Sequence, residues 1–375
     1  MSRIADRIQA SGTPLEKLSV DSGIPLERLR AFLAGEEPSL NELRRLASAL
    51  KMKLSDFVID DEARNRAQFL FRQTIPKSKL PAARFIEDYS SKIGYSLELV
   101  GKTWSESDPI IHFKIENATY EEAETNAEKF RTMFVGGDLV GPLLNLPTIA
   151  IEKLRVLLFV IPERAVDGAS AIVDGYPFIF VSPRFPPRML FTLAHELGHL
   201  ITHHRSNQEF ACLDLFNQTG KIKRSSKKSE SFADVFASCL LLPRAGVGIA
   251  LKKIKEVGKL ASDNIGDVEI LYLSRIFGVS FQAAAVRCED LSLLPRGGAI
   301  SIYEKLVKEH GSPEKRAAEI NLPPRPKIEF PAIPRHLLDA AIRKVQTGEM
   351  SIGRASAALN LSIADIIAQH AQSTH

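Results

Sequence analysis

Two histidines four residues apart, with a glutamate beside the first, stand at His195-Glu196-Leu197-Gly198-His199. On a helix this spacing puts both imidazoles on one face, one turn from each other, where both can reach a single ion. Glu196, next to His195, can then hold a water that the ion activates rather than hold the ion itself. A catalytic zinc takes three protein ligands and keeps one open position, so H-E-x-x-H alone, which also fits helices that bind nothing, needs a partner segment. One begins at Glu230, in ESFADVFASCLLLPR. Glu230, Ala233, Asp234 and Ala237 share a helix face. The two alanines allow close approach to the first helix, and Glu230 can supply the third ligand. Asp234, one turn on, can accept the free N–H of a ligand histidine, which fixes its tautomer and ring orientation.

The elements that must carry these groups are legible. Pro186 and Pro187 punctuate entry into the first helix, and Leu190, Leu193, Leu197, Leu200 and Ile201 give it an apolar stripe. Phe232, Val235, Phe236, Cys239 and Leu240 mark the buried side of the second, which Pro243 stops. Before them, LRVLLFVI (154–161), ASAIV (169–173) and FIFVS (178–182), separated by the turn pairs Asp167-Gly168 and Asp174-Gly175, read as a small antiparallel sheet. FIFVS or ASAIV is either an exposed edge that pairs with an extended peptide or an internal strand. A helix starts near residue 118, where Thr119 and Glu122 have capping-box spacing.

FTLAHELGHLITHH (Phe191 to His204) and ESFADVFASCLLLP (Glu230 to Pro243) resemble the ImmA/IrrE metallopeptidases, gluzincin-like zinc proteins of bacteria and their mobile elements. The resemblance is specific over roughly residues 120–295. It implies His195, His199 and Glu230 as ligands of Zn2+ and Glu196 as general base. Asp234 departs from the family, which more often has Asn there, but Asp beside the ligand histidine is usual in other gluzincins. Beyond the metal, oxyanion stabilisation has four candidates: His203, His204, Tyr176 and Arg287.

Residues 1–60 read as five short amphipathic helices. Ile4 and Ile8 belong to the first, Leu15 and Leu18 to the second, Pro25 to Leu33 to the third. Ser39 and Glu42 give the fourth a capping box, and Leu54, Phe57 and Val58 mark the fifth. The order LxxLSxxSGIPxxRLxxFLAGEEPSLNELRRLASALKMKLSDFV resembles the Cro/repressor (XRE-type) helix-turn-helix domain. That implies a third helix in the major groove of double-stranded DNA, presenting Pro25, Glu27, Arg28 and Arg30. These 60 residues carry nine basic and nine acidic side chains, so phosphate binding rests on a local patch. The alternative is a helical module that docks a protein.

The chain of 375 residues, 45% apolar and 25% charged with formal charge +4, is expected to hold several globular domains. The reading is α+β, mainly helical. It divides into a helix-turn-helix domain (1–60), a connecting region (61–117), a zinc metallopeptidase domain (118–296) and a linker with a C-terminal helical element (297–375). In the connecting region, GYSLELV (94–100) reads as a strand and Trp104 as core. Gly297-Gly298 and the prolines from Pro323 to Pro334 mark the linker. The tail reads as a helix, a turn at Gly348, a short helix from Ser351 and a last one capped by Ser362. Cys212, Cys239 and Cys288, an odd and sparse set, indicate reduced thiols in a cytoplasmic protein. Cys239 should face the core. Cys212 is either a buried thiol or an inhibitory thiolate at the zinc. KIKRSSKKSE (221–230) reads as a solvated loop or one that steers an acidic substrate. No apolar run spans a membrane and the N-terminus lacks a signal-peptide core.

These features together point to a zinc metalloendopeptidase joined to a repressor-type helix-turn-helix. Its expected substrate is a protein such as a transcriptional repressor, in stress response, mobile-element or toxin–antitoxin control; a dimer is compatible with this. The alternative is a DNA-binding regulator or antitoxin whose zinc domain senses or stabilises with little turnover.

Overall fold

The computed structural model describes residues 3–373 except 37, 51, 53–60, 76–84, 102–108, 114, 204–208, 216–227, 259–263 and 360. In chain order come α1 (Arg3–Ala10), α2 (Leu15–Ser22), α3 (Leu26–Leu33), α4 (Leu40–Ala49), α5 (Asp61–Thr74), α6 (Phe85–Val100), α7 (Tyr120–Phe134) and α8 (Leu146–Glu152). Strands β1 (Leu157–Val160), β2 (Val166–Val173) and β3 (Tyr176–Val181) precede α9 (Pro186–His203), β4 (Phe210–Leu215) and α10 (Lys228–Leu241). Then follow α11 (Arg244–Gly258), α12 (Asp267–Ile276), α13 (Phe281–Asp290), α14 (Gly298–His310), α15 (Pro313–Glu319), α16 (Arg335–Gln346), α17 (Ile352–Leu359) and α18 (Ile363–Ser373). The class is α+β, mainly helical. Among the described residues, no single helix is long and apolar enough to cross a membrane.

The chain forms two units: residues 1–68, 86–104 and 335–375 make one, residues 69–85 and 105–334 the other. In the first, Gly23 ends α2 in the left-handed conformation at φ 67°, and Pro25 opens α3. Such a C-terminal residue favours glycine, which has no Cβ to clash. The capping box of α4 is formed: Ser39 accepts from Glu42 N at 3.3 Å, and Glu42 accepts from Ser39 N at 2.6 Å. Leu18, Leu29, Phe32 and Leu46 are the buried centre of these helices. The fifth helix expected around Leu54, Phe57 and Val58 lies outside the described residues, as does Trp104. GYSLELV is not a strand; it is the end of α6. Ile93, Gly94, Tyr95, Ser96 and Leu97 are all buried, so the segment faces core on every side and shows no helical period to read. The tail follows its sequence: Gly348 turns at φ 77°, and Ser362 Oγ accepts from Asp365 N at 3.0 Å to cap α18.

In the second unit, α9 lies on the sheet and α10 packs against both α9 and α7. The sheet order is β1-β3-β2-β4. The sheet is mixed rather than wholly antiparallel: β1 runs parallel to β3, whereas β2 pairs antiparallel with both β3 and β4. Neither FIFVS nor ASAIV is an edge, because β3 lies between β1 and β2, and β2 is covered by β4. The expected capping box holds here too: Thr119 accepts from Glu122 N at 3.2 Å, and Glu122 accepts from Thr119 N at 3.3 Å. Ser280 accepts from Ala283 N at 3.1 Å and caps α13. Gly297-Gly298 does not begin a free linker; it starts α14. The proline run that follows is fastened by Arg325, which donates to Val279 O at 2.8 Å and pairs with Glu314 at 2.8 Å.

Two glycines set the spacing around α9. A Cβ on Gly198 would lie 2.9 Å from Ala233 Cα, so glycine here lets α10 approach α9. A Cβ on Gly168 of β2 would lie 2.5 Å from both Glu196 Oε1 and Thr192 Cγ2.

Candidate metal centre

α9 delivers His195, Glu196 and His199 into the interior, all three buried. Its apolar stripe, Leu190, Leu193, Leu197 and Leu200, is buried in the core and fixes the helix rotation. α10, held close by the Gly198–Ala233 contact, brings Glu230 and Asp234 to the same place. His195 Nε2 and His199 Nε2 face each other at 2.9 Å. Glu230 Oε2 stands 3.7 Å from the first and 3.6 Å from the second. Asp234 Oδ1 lies 2.9 Å from the other nitrogen of the first ring, His195 Nδ1.

A further acid arrives from β4. Asp214 Oδ2 stands 3.0 Å from His195 Nε2. His195, His199, Asp214 and Glu230 each offer one ligand atom, and these atoms all lie within 4.8 Å of one another. Sequence reasoning missed Asp214. It belongs to no motif, and its place depends on the pairing of β4 with β2.

Electrostatics mark the same point. Burial opposes charge on His195, yet Asp214, Asp234 and Glu230 raise its pKa well above the usual value. Hydrogen bonds from His195 and His199 hold the Glu230 carboxyl far below the carboxylate range. Burial also works against the Asp214 carboxylate, but His195 holds its pKa down. Burial, reinforced by Asp214, raises Glu196 well above the normal range. Three carboxylates around two imidazoles in a buried site leave negative charge that a cation would neutralise.

Glu196 is set for a different task. Ser170 Oγ donates to its Oε2 at 2.6 Å. Its Oε1 is buried and finds no hydrogen-bond partner among the described residues. One oxygen is thus anchored and the other is free to act.

The remaining sequence candidates fall in different places. His203 stacks on His199 with centroids 6.2 Å apart and meets Phe210 at 4.9 Å; burial, with the charge of His199, lowers its pKa, which keeps it neutral. Tyr176 is buried at the start of β3. Arg287 is committed elsewhere: it donates to Leu242 O at 2.9 Å, Tyr120 Oη at 2.5 Å and Glu124 Oε1 at 3.0 Å. Cys212 Sγ lies 3.9 Å from Glu230 Oε1, beside the four ligand atoms rather than among them, and burial pushes its thiol pKa up. Cys239 is in the core. His204 and residues 221–227 lie outside the described residues. In the other unit, Pro25, Glu27 and Arg30 are exposed along α3. Arg28 is half-buried, paired with Glu36 at 2.5 Å and with Glu42 at 2.9 Å.

Residues 151–289 match the Peptidase_M78 family model, described as the IrrE N-terminal-like domain. The matched stretch runs from the end of α8 through α13 and contains every residue of the centre. This part of the chain is therefore similar to a metallopeptidase-type domain, and its His/Asp/Glu group is compatible with a metal. A search of curated proteins finds no match to the chain.

Proposed function

We propose that the protein is a zinc-dependent metalloendopeptidase in which His195, His199 and Glu230 hold the metal and Glu196 is the general base. The convergence of those three side chains from α9 and α10 on one buried point carries the reading. Two imidazoles and a carboxylate are a donor set that suits zinc, with nitrogen and oxygen ligands at about 2.0–2.2 Å. When bound, zinc supplies Lewis acidity that lowers the pKa of water and polarises a carbonyl.

The chain's own residues do the rest. Ser170 fixes Oε2 of Glu196 and leaves Oε1 to take a proton from the attacking water and return it to the leaving amine. Asp234 accepts from Nδ1–H of His195, so that Nε2 presents its lone pair to the metal. His203, its ring stacked on that of His199 at 6.2 Å, is the candidate we assign as donor to the developing oxyanion.

The substrate in this reading is a protein, and a helix-turn-helix repressor is the leading class. The first unit, with Gly23 and Pro25 between α2 and α3, would bring the enzyme to DNA or to such a repressor. Zinc content by elemental analysis tests the reading. About one zinc per wild-type chain is expected, with loss in Glu230→Ala and retention in Glu196→Gln. Glu196→Gln should also trap an uncleaved partner that the wild type cuts. A wild-type protein that takes up no zinc when zinc is supplied overturns the proposal.

A second reading has one specific observation behind it. Asp214 adds a fourth protein ligand atom to the cluster, and four protein ligands are the habit of structural rather than catalytic zinc sites. A DNA-binding regulator with a sensing or structural zinc domain would have such a site.

A further inference from the structure

We infer that Asp214 is a fourth protein ligand that closes the metal centre, and that β4 is a strap which must withdraw before a substrate can be cut. The inference rests on the metal reading of the site. The nitrogen that Asp214 meets, His195 Nε2, is the one turned towards His199 and Glu230, so all four side chains aim at one point. Zinc bonds of about 2.0–2.2 Å in a tetrahedron put neighbouring ligand atoms roughly 3.3–3.6 Å apart. The separations here, from 2.9 to 3.7 Å where measured and under 4.8 Å throughout, bracket that value.

The strand is built to place this carboxylate. Asp214 pairs across the sheet with Gly168, and the register between β2 and β4 shifts between Val166 and Gly168. Bulges of this kind re-aim side chains beside active sites. Asp167, the residue at the shift, is fastened to Arg184 at 3.3 Å and to Arg188 at 2.6 Å, which fixes the irregularity. Gly168, opposite Asp214, carries no side chain, so the carboxylate of Glu196 has room beside it.

Alternate residues of β4 continue the contact. Phe210 lies against His203, Cys212 reaches the Glu230 carboxylate, and Asp214 reaches His195. One face of the strand therefore runs along the centre from one ligand to the next. β4 is also the terminal strand of the sheet among the described residues. It sits where an extended substrate backbone would pair with β2, and its acid takes the position that a catalytic site leaves open for water.

The test compares wild type, Asp214→Ala and the near-isosteric Asp214→Asn. Each is loaded with Co2+, and its visible spectrum is titrated with acetohydroxamate, a small chelating anion. Zinc affinity is measured by competition with a chromophoric chelator, and folding is checked by circular dichroism. The expected result is a wild-type Co2+ spectrum that acetohydroxamate does not move and a variant spectrum that it does. Zinc affinity should fall at least tenfold in Asp214→Ala, and hydrolysis of an unstructured protein should rise in both variants. A wild-type spectrum that responds to acetohydroxamate as the variants do, or a zinc affinity unchanged in Asp214→Ala, overturns the strap while leaving the metallopeptidase reading intact. A wild-type chain that takes up neither ion overturns both.

Discussion

Oδ1 of Asp234 stands 2.9 Å from Nδ1 of His195, the ring nitrogen that does not face His199. In the zinc reading, the contact orients the imidazole from behind and makes its other nitrogen the better ligand. Loss of such a partner costs about 10- to 100-fold in metal affinity. Asp234→Ala is expected to weaken zinc binding by that factor without changing the helical content. Asp234→Asn, which keeps an acceptor oxygen, should lose less. Competition with a chromophoric chelator measures both, and equal affinities for wild type and Asp234→Ala would remove the orienting role.

Ser170 is the only described donor to the buried Glu196 carboxylate. Leaving a buried acceptor without its donor costs about 1–3 kcal/mol. Ser170→Ala should therefore lower the melting temperature of the second unit by several degrees and leave zinc content unchanged. Zinc loss in step with Ser170→Ala would show that the serine supports the ligands instead.

Glu42 ties pH to the stability of the first unit. The hydrogen bond from Arg28, together with donors at Ser39, lowers its pKa from 4.5 to about 2 against the opposing effect of burial. A depressed carboxylate contributes stability that is present above the unfolded pKa and lost as pH falls through the folded one. The window is thus pH 4.5 down to about 2. Glu42→Gln should melt below wild type at pH 7 in far-ultraviolet circular dichroism, and the difference should shrink across that window. A difference of the same size at pH 2 would locate the effect in packing.

On α3 the two arginines have unequal freedom. Arg30 is exposed, whereas Arg28 is held by Glu36 and Glu42 and lies over the Phe32 ring at 4.8 Å. If the helix reads DNA, Arg30→Ala should weaken duplex binding and reduce the slope of log K against log salt by about 1. Arg28→Ala should act first on stability. Fluorescence anisotropy with duplex DNA over a salt series separates these. No binding by wild type at physiological salt would favour a protein-docking role for the unit.

The parts of the centre carried on helices were legible because helical spacing is written in consecutive residues. His195, His199, Glu230 and Asp234 occupy faces that a 3.6-residue period reveals, and Ser39, Thr119 and Ser362 announced the helix starts. Asp214 was not legible. A strand aims its side chains through pairing with a distant partner, and here the register also shifts by one residue, which no local pattern records. The parallel pairing of β1 with β3 was hidden for the same reason: it joins segments separated by the whole of β2. The end of α6, GYSLELV, was misread because burial on all sides erases the period that distinguishes helix from strand.

Position 198 is one of the two letters that H-E-x-x-H leaves unspecified. In this architecture it is closed: a Cβ there would lie 3.2 Å from the Ala233 side chain and, closer still, 2.9 Å from the Ala233 Cα. No substitution at residue 233 can relieve that collision, because a smaller side chain does not move a Cα atom. A genetic screen for second-site suppressors of Gly198→Ala should therefore return revertants at 198 rather than compensating changes at 233. The spacing of α9 and α10, and with it the approach of Glu230 to His195 and His199, thus hangs on a single position that has room only for hydrogen.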